Sequence, residues 1–491
     1  MKIINLLFTL MLFGFCLNAF AYFEQPIEPC IPLSVSSTNY PNHDYKVEQF
    51  GAKADEITNN TLSIQAAIDK CTASGGGEVE LSQGIYLSGN LTLKNNVTLN
   101  ISLGSTLKAI PDTSVYKLIQ SSVISRMDVV PWKAFIRADS QSNIRLCGGG
   151  TIDASGDAPC FRDGVENSPN RPYGLFFINC TGVTVENLKL LSSAFWMQRY
   201  FSCSNVRIDR LDVFNHANKN NDGLDIDSSN DVIVSNCHID SSDDAICIKS
   251  EGEKPSKNIV ITNCILSTHA SAIKLGTGSV GGFENICISN IVIHRSISKI
   301  MMHPMGVWGG LTGVDIATTD GGALRQVQIS NVCMDDVQNP IHIRLGNRLS
   351  GNVARQGYGD AADKSQGVAE NGKTTKIAGE LRLEDVTITN LFAKNVGPYP
   401  VIIAGLEGHP VKRITLRDIT IQCGTPGTKK DECSTVNWKA NGYPGRGMYD
   451  TCLPVYGLIS NFTENLVVEN FHAIPALGEV REMEMHLNIF K

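Results

Sequence analysis

Ile259-Val-Ile-Thr-Asn-Cys-Ile-Leu266 alternates apolar residues on both sides of one asparagine, Asn263. The same pattern, apolar-x-apolar-x-(Asn/Asp)-apolar-x-apolar, stands at 183–190, 232–239, 286–293, 327–334, 381–388, 414–421 and 466–473, with a variant at 206–213 that pivots on Arg210. Asn236, Asn263 and Asn290 follow one another at 27-residue intervals. Period-2 alternation means strands, and a fixed period in the twenties means stacked coils. The pivot breaks the alternation, so the chain bends there and both arms point their apolar residues inward. Asparagine suits such a corner because it tolerates left-handed dihedrals and its amide can bond to the next coil. The expected architecture is all-β, a right-handed parallel β-helix with one rung per coil. An antiparallel sandwich would show hairpin turns such as Asn-Gly between strands, and few occur.

Such a stack exposes strand edges at its ends. Residues 61–71 read as a short amphipathic helix placed to cap the N-terminal coil, with Ser74-Gly-Gly-Gly77 as the turn that follows. Two long non-repetitive segments, 346–379 and 424–454, read as loops on one side of the solenoid, functional or mobile.

The first residues read as an address. Met1-Lys2, an apolar run over 6–17 and the small residues of Asn18-Ala19-Phe20-Ala21 predict a signal peptide at 1–21. An N-terminal extension over 22–45, a catalytic β-helix over 46–475 and a C-terminal tail over 476–491 complete the expected organisation, with secretion to an extracellular or periplasmic space. Removal of Cys16 leaves 14 cysteines, an even number that an oxidising compartment permits to pair. Cys237, Cys264, Cys287 and Cys333 sit inside strand patterns and read as small apolar residues. Bridges are expected among Cys423, Cys433 and Cys452, and no Cys/His spacing suggests zinc.

Composition narrows the partners. The 491 residues carry 42 Lys+Arg against 49 Asp+Glu, a net charge of −7. A basic excess of the kind nucleic-acid binders carry is missing. A mean hydropathy of −0.05 excludes a polytopic membrane protein. Nothing speaks for oligomerisation, so a monomer is expected.

The densest acidic constellation is Asn220-Asn221-Asp222-Gly223-Leu224-Asp225-Ile226-Asp227, followed by Ser241-Ser242-Asp243-Asp244-Ala245. Asp222 and Asp243 are 21 residues apart, roughly one coil. Residues one turn apart on a coil stack lie side by side, so Asp222 should neighbour Asp243 and Asp244. Like charges at that distance force one pKa upward. Glycoside hydrolysis needs that arrangement: one carboxylic acid donates to the leaving oxygen while an ionised carboxylate activates water. Asp225 and Asp227 lie on the alternating arm and read as structural or marginal to the substrate. A Ca²⁺ site is weakened by the lack of a D-x-D-x-D-G loop.

With these residues the chain resembles the polygalacturonase-type glycoside hydrolases of family 28. Asn220-Asn221-Asp222-Gly223 looks like that family's Asn-Thr-Asp-Gly, and Asp243-Asp244-Ala-Ile-Cys-Ile-Lys249 like its paired Asp-Asp ahead of a strand. Phe50-Gly-Ala-Lys53, Ile64-Gln-Ala-Ala-Ile68 and Ser193-Ala-Phe-Trp196 are also typical, and the likeness runs over 45–470. It implies a right-handed β-helix without cofactor or metal, a pectic polysaccharide substrate, and inverting hydrolysis. Asp243 would be the acid, and Asp222 and Asp244 would hold and activate the water. Two signatures depart from the family. Where it has Gly-His-Gly, this chain has Ala270-Ser271-Ala272, with His269 two residues early and able to return only through a bulge. Where it has Arg-Ile-Lys, this chain has Arg344-Leu345-Gly346. Arg344 remains to grip a sugar carboxylate bidentately, with Lys274 or Arg348 as helpers; Asn220 and His269 complete the candidate substrate contacts.

Four functions fit at this level. The first is cleavage of α-1,4-galacturonosyl bonds in pectin. A relative acting on rhamnogalacturonan or another acidic glycan shares the chemistry. A pectate lyase shares the architecture but needs Ca²⁺ and a basic proton abstractor. A non-catalytic glycan-binding β-helix would tolerate loss of the acid. Trp308, in a Gly-rich segment, reads as a possible sugar platform, and Trp196 as core packing.

Overall fold

The computed structural model describes residues 43–125, 133–162, 168, 170–302, 306–346, 381–429, 431 and 454–490. Apolar residues on alternate positions of short strands can only be buried if the chain returns above itself, and it does so repeatedly. The strands form one 29-stranded sheet, wound so that each segment pairs with the one a coil later. In the central coils Val232, Ile259, Ile286 and Val327 lie in consecutive register, and all pairings between these strands are parallel. The fold is a right-handed parallel β-helix, as the repeat predicts.

The corners explain how the repeat works. Asn236, Asn263, Asn290 and Asn331 all have φ near +57°, at 57°, 56°, 57° and 56°. A left-handed backbone disfavours most side chains by about 1–2 kcal/mol, and here the amides return part of that cost. Asn290 Nδ2 donates to Asn263 Oδ1 at 3.1 Å, Asn331 to Asn290 at 3.0 Å, and Asn390 to Asn331 at 2.7 Å. A second corner stands five residues earlier in each coil, at Asn258, Asn285, Gln326 and Asp385, again with positive φ. The sequence pattern shows only one of the two. It therefore places the copy at 381–388 out of phase, because Asp385 belongs to the second corner and Asn390 continues the first.

Inward positions make one continuous core: Ile259 and Ile261 on one arm, Cys264 and Leu266 on the other, each at most 1% exposed. Cys237 and Cys264 are buried as expected, but Cys287 and Cys333 point outward and are exposed. The eleven cysteines among the described residues are free thiols. Cys423 is one of them, with its thiol toward the Tyr456 carbonyl, so the expected bridge does not form through it. Cys433 and Cys452 lie outside the described residues.

At the N-terminal end the helix Thr61–Ala73 buries Ile64, Ala67, Ile68 and Cys71 over the first coil. Gly75, Gly76 and Gly77 follow with φ of 97°, 121° and 148°. A Cβ on Gly76 would lie 2.5 Å from the Asn96 carbonyl, so the turn requires glycine. At the other end the strand Glu482–Phe490 adds a further rung on Val455–Ile474, so the solenoid runs past 475 and the segment expected to be a tail is part of it. The predicted signal peptide, nearly all of the N-terminal extension and most of both long loops lie outside the described residues. Among the described residues no helix is long and apolar enough to cross a membrane.

Ile261 faces the core and Val260, its neighbour, faces out at 37% exposure. Ile261→Ala is expected to cost about 2–5 kcal/mol. Val260→Ala should stay within about 0.5 kcal/mol. Urea unfolding of both variants checks the register; equal losses would place the strand wrongly.

Candidate active site

The strands Leu224–Asp227, Ile246–Ser250, Ser271–Ser279, Thr312–Thr318 and Asn339–Leu345 stack in register on one side of the solenoid. Their inward residues are Leu224, Ile246, Ile273, Val314 and Ile341 with their i+2 partners, all in the core. Outward positions on an ordinary solenoid face meet solvent, as Val260 does. Here the outward column runs Arg199, Asp225, Cys247, Lys274, Asp315 and His342, and every one is buried. Buried charges persist only when they are paired.

Asp222 ends the turn before one of these strands, and Asp243 and Asp244 end the turn before the next. Gly223 lets the two turns touch: a Cβ there would lie 2.3 Å from Ile239 and 2.7 Å from the Ala245 carbonyl. Asn221 locks the first turn by donating to the Ser193 and Phe195 carbonyls, both at 2.8 Å. Asn215 Nδ2 and Met197 N bind the Asp222 carbonyl at 2.9 and 3.0 Å. On the second turn the Ser241 and Thr268 hydroxyls both donate to the Asp243 carbonyl. Carboxylate oxygens of Asp222, Asp243 and Asp244 consequently lie within 4.8 Å of one another, and all three residues are buried.

Two lysines balance them. Lys274 Nζ lies 2.6 Å from Asp244 Oδ2, and Ser271 N donates to Asp244 Oδ1 at 3.2 Å. Lys249 Nζ lies 3.3 Å from Asp222 Oδ2, ion-pairs with Asp225, and sits 4.0 Å from the centre of the Trp196 ring. Burial works against the Lys249 ammonium, but Asp225, Cys247 and Asp222 outweigh it and hold its pKa well above the ordinary lysine value. Burial also raises Asp222 and Asp225, each opposed by Lys249. Asp222 Oδ1 is buried and accepts no hydrogen bond from the described residues. Asp243 is pushed up to about 7, first by burial and then by the charge of Asp244 beside it. Burial and mutual repulsion thus dispose the group to hold a proton, against the pull of two ammonium groups. Three carboxylates at this spacing would also suit a divalent cation, but Lys249 and Lys274 already supply positive charge to two of them, which disfavours a metal there.

Several candidates take other places. Asp227 pairs with Arg199, whose guanidinium also meets Glu251 and lies on the Phe176, Trp196 and Phe201 rings. Asn220 accepts from Arg171 at 3.1 Å and serves the turn's conformation. His269 is not a surface residue. It is fully buried, with Nε2 2.9 Å from the Ser298 carbonyl and its ring 4.9 Å from that of His216, which pairs with Asp240. Lys274 is engaged by Asp244. Arg344 is outward-facing and 2% exposed, three rungs beyond the strand that follows Asp244, about 14 Å along the solenoid. Arg348 lies outside the described residues. Trp308 carries Arg295 and Lys299 over its ring at 4.2 and 4.7 Å, so cations already cover it. Lys249, Asp315 and His342 were not singled out from the sequence. Their signal was there, as charged residues at the outward positions of Ile-Cys-Ile-Lys, Val-Asp-Ile and Ile-His-Ile-Arg.

Comparison with known proteins agrees with this geometry. Residues 71–348 match Glycosyl hydrolases family 28. A probable polygalacturonase of Vitis vinifera is 26% identical over 228 residues, covering 44% of this chain and 46% of that protein, so the chain spans less than half of that relative's length. A polygalacturonase of Malus domestica is 23% identical over 415 residues, covering 82% of this chain and 78% of the other. The solved family 28 exopolygalacturonase of Yersinia enterocolitica superposes with a TM-score of 0.66 over 92% of this chain and 78% of that one, at 20% identity, which shows a shared fold. With a match across more than half its length, laid over a solenoid that gathers three buried aspartates, the chain belongs to glycosyl hydrolases family 28 and is a polygalacturonase-like glycoside hydrolase.

Proposed function

We propose that this protein is an exported, monomeric hydrolase that cleaves α-1,4-galacturonosyl linkages of pectic polygalacturonan with inversion. The observation that carries this reading is the trio itself: three buried carboxylates with oxygens within 4.8 Å of one another, Asp243 pushed up to about 7, and Asp222 and Asp244 in contact with Lys249 and Lys274. Asp243 donates its proton to the glycosidic oxygen as the bond to the anomeric carbon breaks. Asp222 and Asp244 hold the attacking water and take its proton. Carboxylates in inverting enzymes are commonly ~6.5–9.5 Å apart and in retaining ones ~5–5.5 Å, so the nearest-oxygen limit of 4.8 Å needs an account. A water bonded to two acceptors at about 2.8 Å each spans roughly 4.5 Å between them. Asp222 and Asp244 therefore fit the two acceptors of one water, and Asp222 Oδ1 is a buried acceptor that such a water would satisfy.

Arg344 is the cation assigned to a sugar carboxylate, at a subsite displaced along the solenoid from the cleaved bond. One observation favours a second reading, hydrolysis of rhamnogalacturonan or another acidic glycan: Ser271 and Gly346 stand where the family's signatures carry His and Lys. A Ca²⁺-dependent lyase is disfavoured by the two lysines on the trio.

Incubation with de-esterified polygalacturonate should release reducing ends without ultraviolet absorbance from unsaturated products, and EDTA should leave the rate unchanged. Absorbance of unsaturated ends would replace hydrolysis by elimination, and turnover of rhamnogalacturonan alone would promote the second reading. Proton NMR of the first-formed product should show the inverted anomer; the retained anomer would require a covalent intermediate.

Asp243→Asn should lower kcat by about 10²–10⁴-fold while the fold persists. In the wild type, kcat should fall as pH rises past about 7. The stability sign is opposite to that of an ordinary ion-paired aspartate. A carboxyl raised in the folded state stabilises fully below its unfolded pKa, and that contribution is lost as pH rises through about 7. The urea midpoint of Asp243→Asn relative to wild type should therefore climb between pH 4 and pH 7 and then level; a flat difference would contradict a protonated Asp243.

A further inference from the structure

We propose that Ser271, Asp315 and His342 are positioning residues that keep the Lys274 ammonium on Asp244. The Ser271 hydroxyl donates to Asp315 Oδ2 at 3.2 Å, and His342 Nδ1 lies 2.8 Å from Asp315 Oδ1. Both oxygens of Asp315 are thereby engaged. The same Ser271 gives its backbone N–H to Asp244 Oδ1. Lys274 and Asp315 are direct register partners on adjacent rungs, and the ammonium salt-bridges Asp244 at 2.6 Å. Asp315 relieved of its two donors becomes the stronger competitor for that ammonium. Asp244 would then lose the countercharge that keeps it ionised for accepting a proton from water.

The extent of the charged column supports an active-site role. Before Arg199 the column holds Phe176, and after His342 it holds Ile402. Within this column the run of buried polar and charged residues is bounded by Phe176 and Ile402. Burial of Asp315 and His342, 1% and 3% exposed, is costly for the fold alone, since well-packed apolar residues in such places are often neutral or stabilising. Ser271 is also the residue at the histidine position of the family's third signature, so this network occupies ground that other members fill differently.

The inference rests on the hydrolase reading, and the experiment separates the two: wild-type turnover tests that reading, and ratios between variants test this one. In Ser271→Ala the backbone N–H to Asp244 survives and only the hydroxyl is lost. Its kcat should fall about tenfold or more, as misplacement of a catalytic group does, with KM within about twofold because ground-state binding is untouched. Adding Asp315→Asn, which removes the competing charge, should restore kcat to within about threefold of wild type. A crystal structure of Ser271→Ala should show Lys274 Nζ moved from Asp244 toward Asp315, a readout independent of turnover. His342→Ala makes the same claim from the other side of Asp315 and decides the matter should Ser271→Ala not fold. An unchanged kcat, a rise in KM alone, no recovery in the double variant, or Lys274 still seated on Asp244 would each overturn the proposal.

Discussion

Parallel stacking of rungs about 4.8 Å apart is the constraint on which the rest of this molecule depends. It fixes which residues from different coils must share a column, whatever their chemistry. Most columns resolve this simply, with branched apolar residues inside and solvated polar ones outside. The outward column from Arg199 to His342 cannot, because its members are buried. Opposite charges must then meet across rungs or diagonals, as Arg199–Asp227, Lys249–Asp225 and Lys274–Asp244 do, while Asp315 is held by hydrogen bonding with His342 and Ser271.

The same constraint sets the chemistry of the trio. Asp222 is delivered by one turn and Asp243 with Asp244 by the next, so one rung separates Asp222 from the Asp243–Asp244 pair. Four carboxylates, counting Asp225, share Lys249 and Lys274. Full ionisation of all four in a desolvated site would leave an uncompensated charge, and the cheapest relief is a proton. Burial raises Asp222, Asp225 and Asp243 alike, so protonation belongs to the buried cluster as much as to any one carboxyl.

How much of this was legible in the sequence follows from what a linear pattern can record. The corner at Asn263 was visible because its side chain recurs at a fixed interval; the corner at Asn258 was hidden because Gln326 and Asp385 fill it in later coils. The meeting of Asp222 with Asp243 followed from a spacing of one coil. Lys249 and Asp315 were passed over because a charged residue at an outward strand position is usually solvated, and only three-dimensional packing shows that these are not. The reading of His269 as a surface-turn residue failed because distance in sequence from a signature says nothing about which neighbours, Ser298 among them, come to cover the ring. Exposed Cys287 and Cys333 failed for a simpler reason: they occupy the outward phase of strands whose inward phase is apolar.

Bond cleavage and sugar recognition are separable in this architecture. The cleaving groups sit on two turns braced by backbone carbonyls, Asn221 and Gly223, where little can change without moving a carboxylate. Arg344, proposed above for an acidic sugar, stands rungs away on a strand where its neighbours in its own column are Ala317 and Ala404. Small residues beside it leave that column open to replacement at little packing cost. Departures from the family's later signatures at Ser271 and Gly346 therefore need not weaken hydrolysis. On the proposed reading Ser271 would change how Asp244 is held and Gly346 which cations await the substrate, two different terms of the same rate.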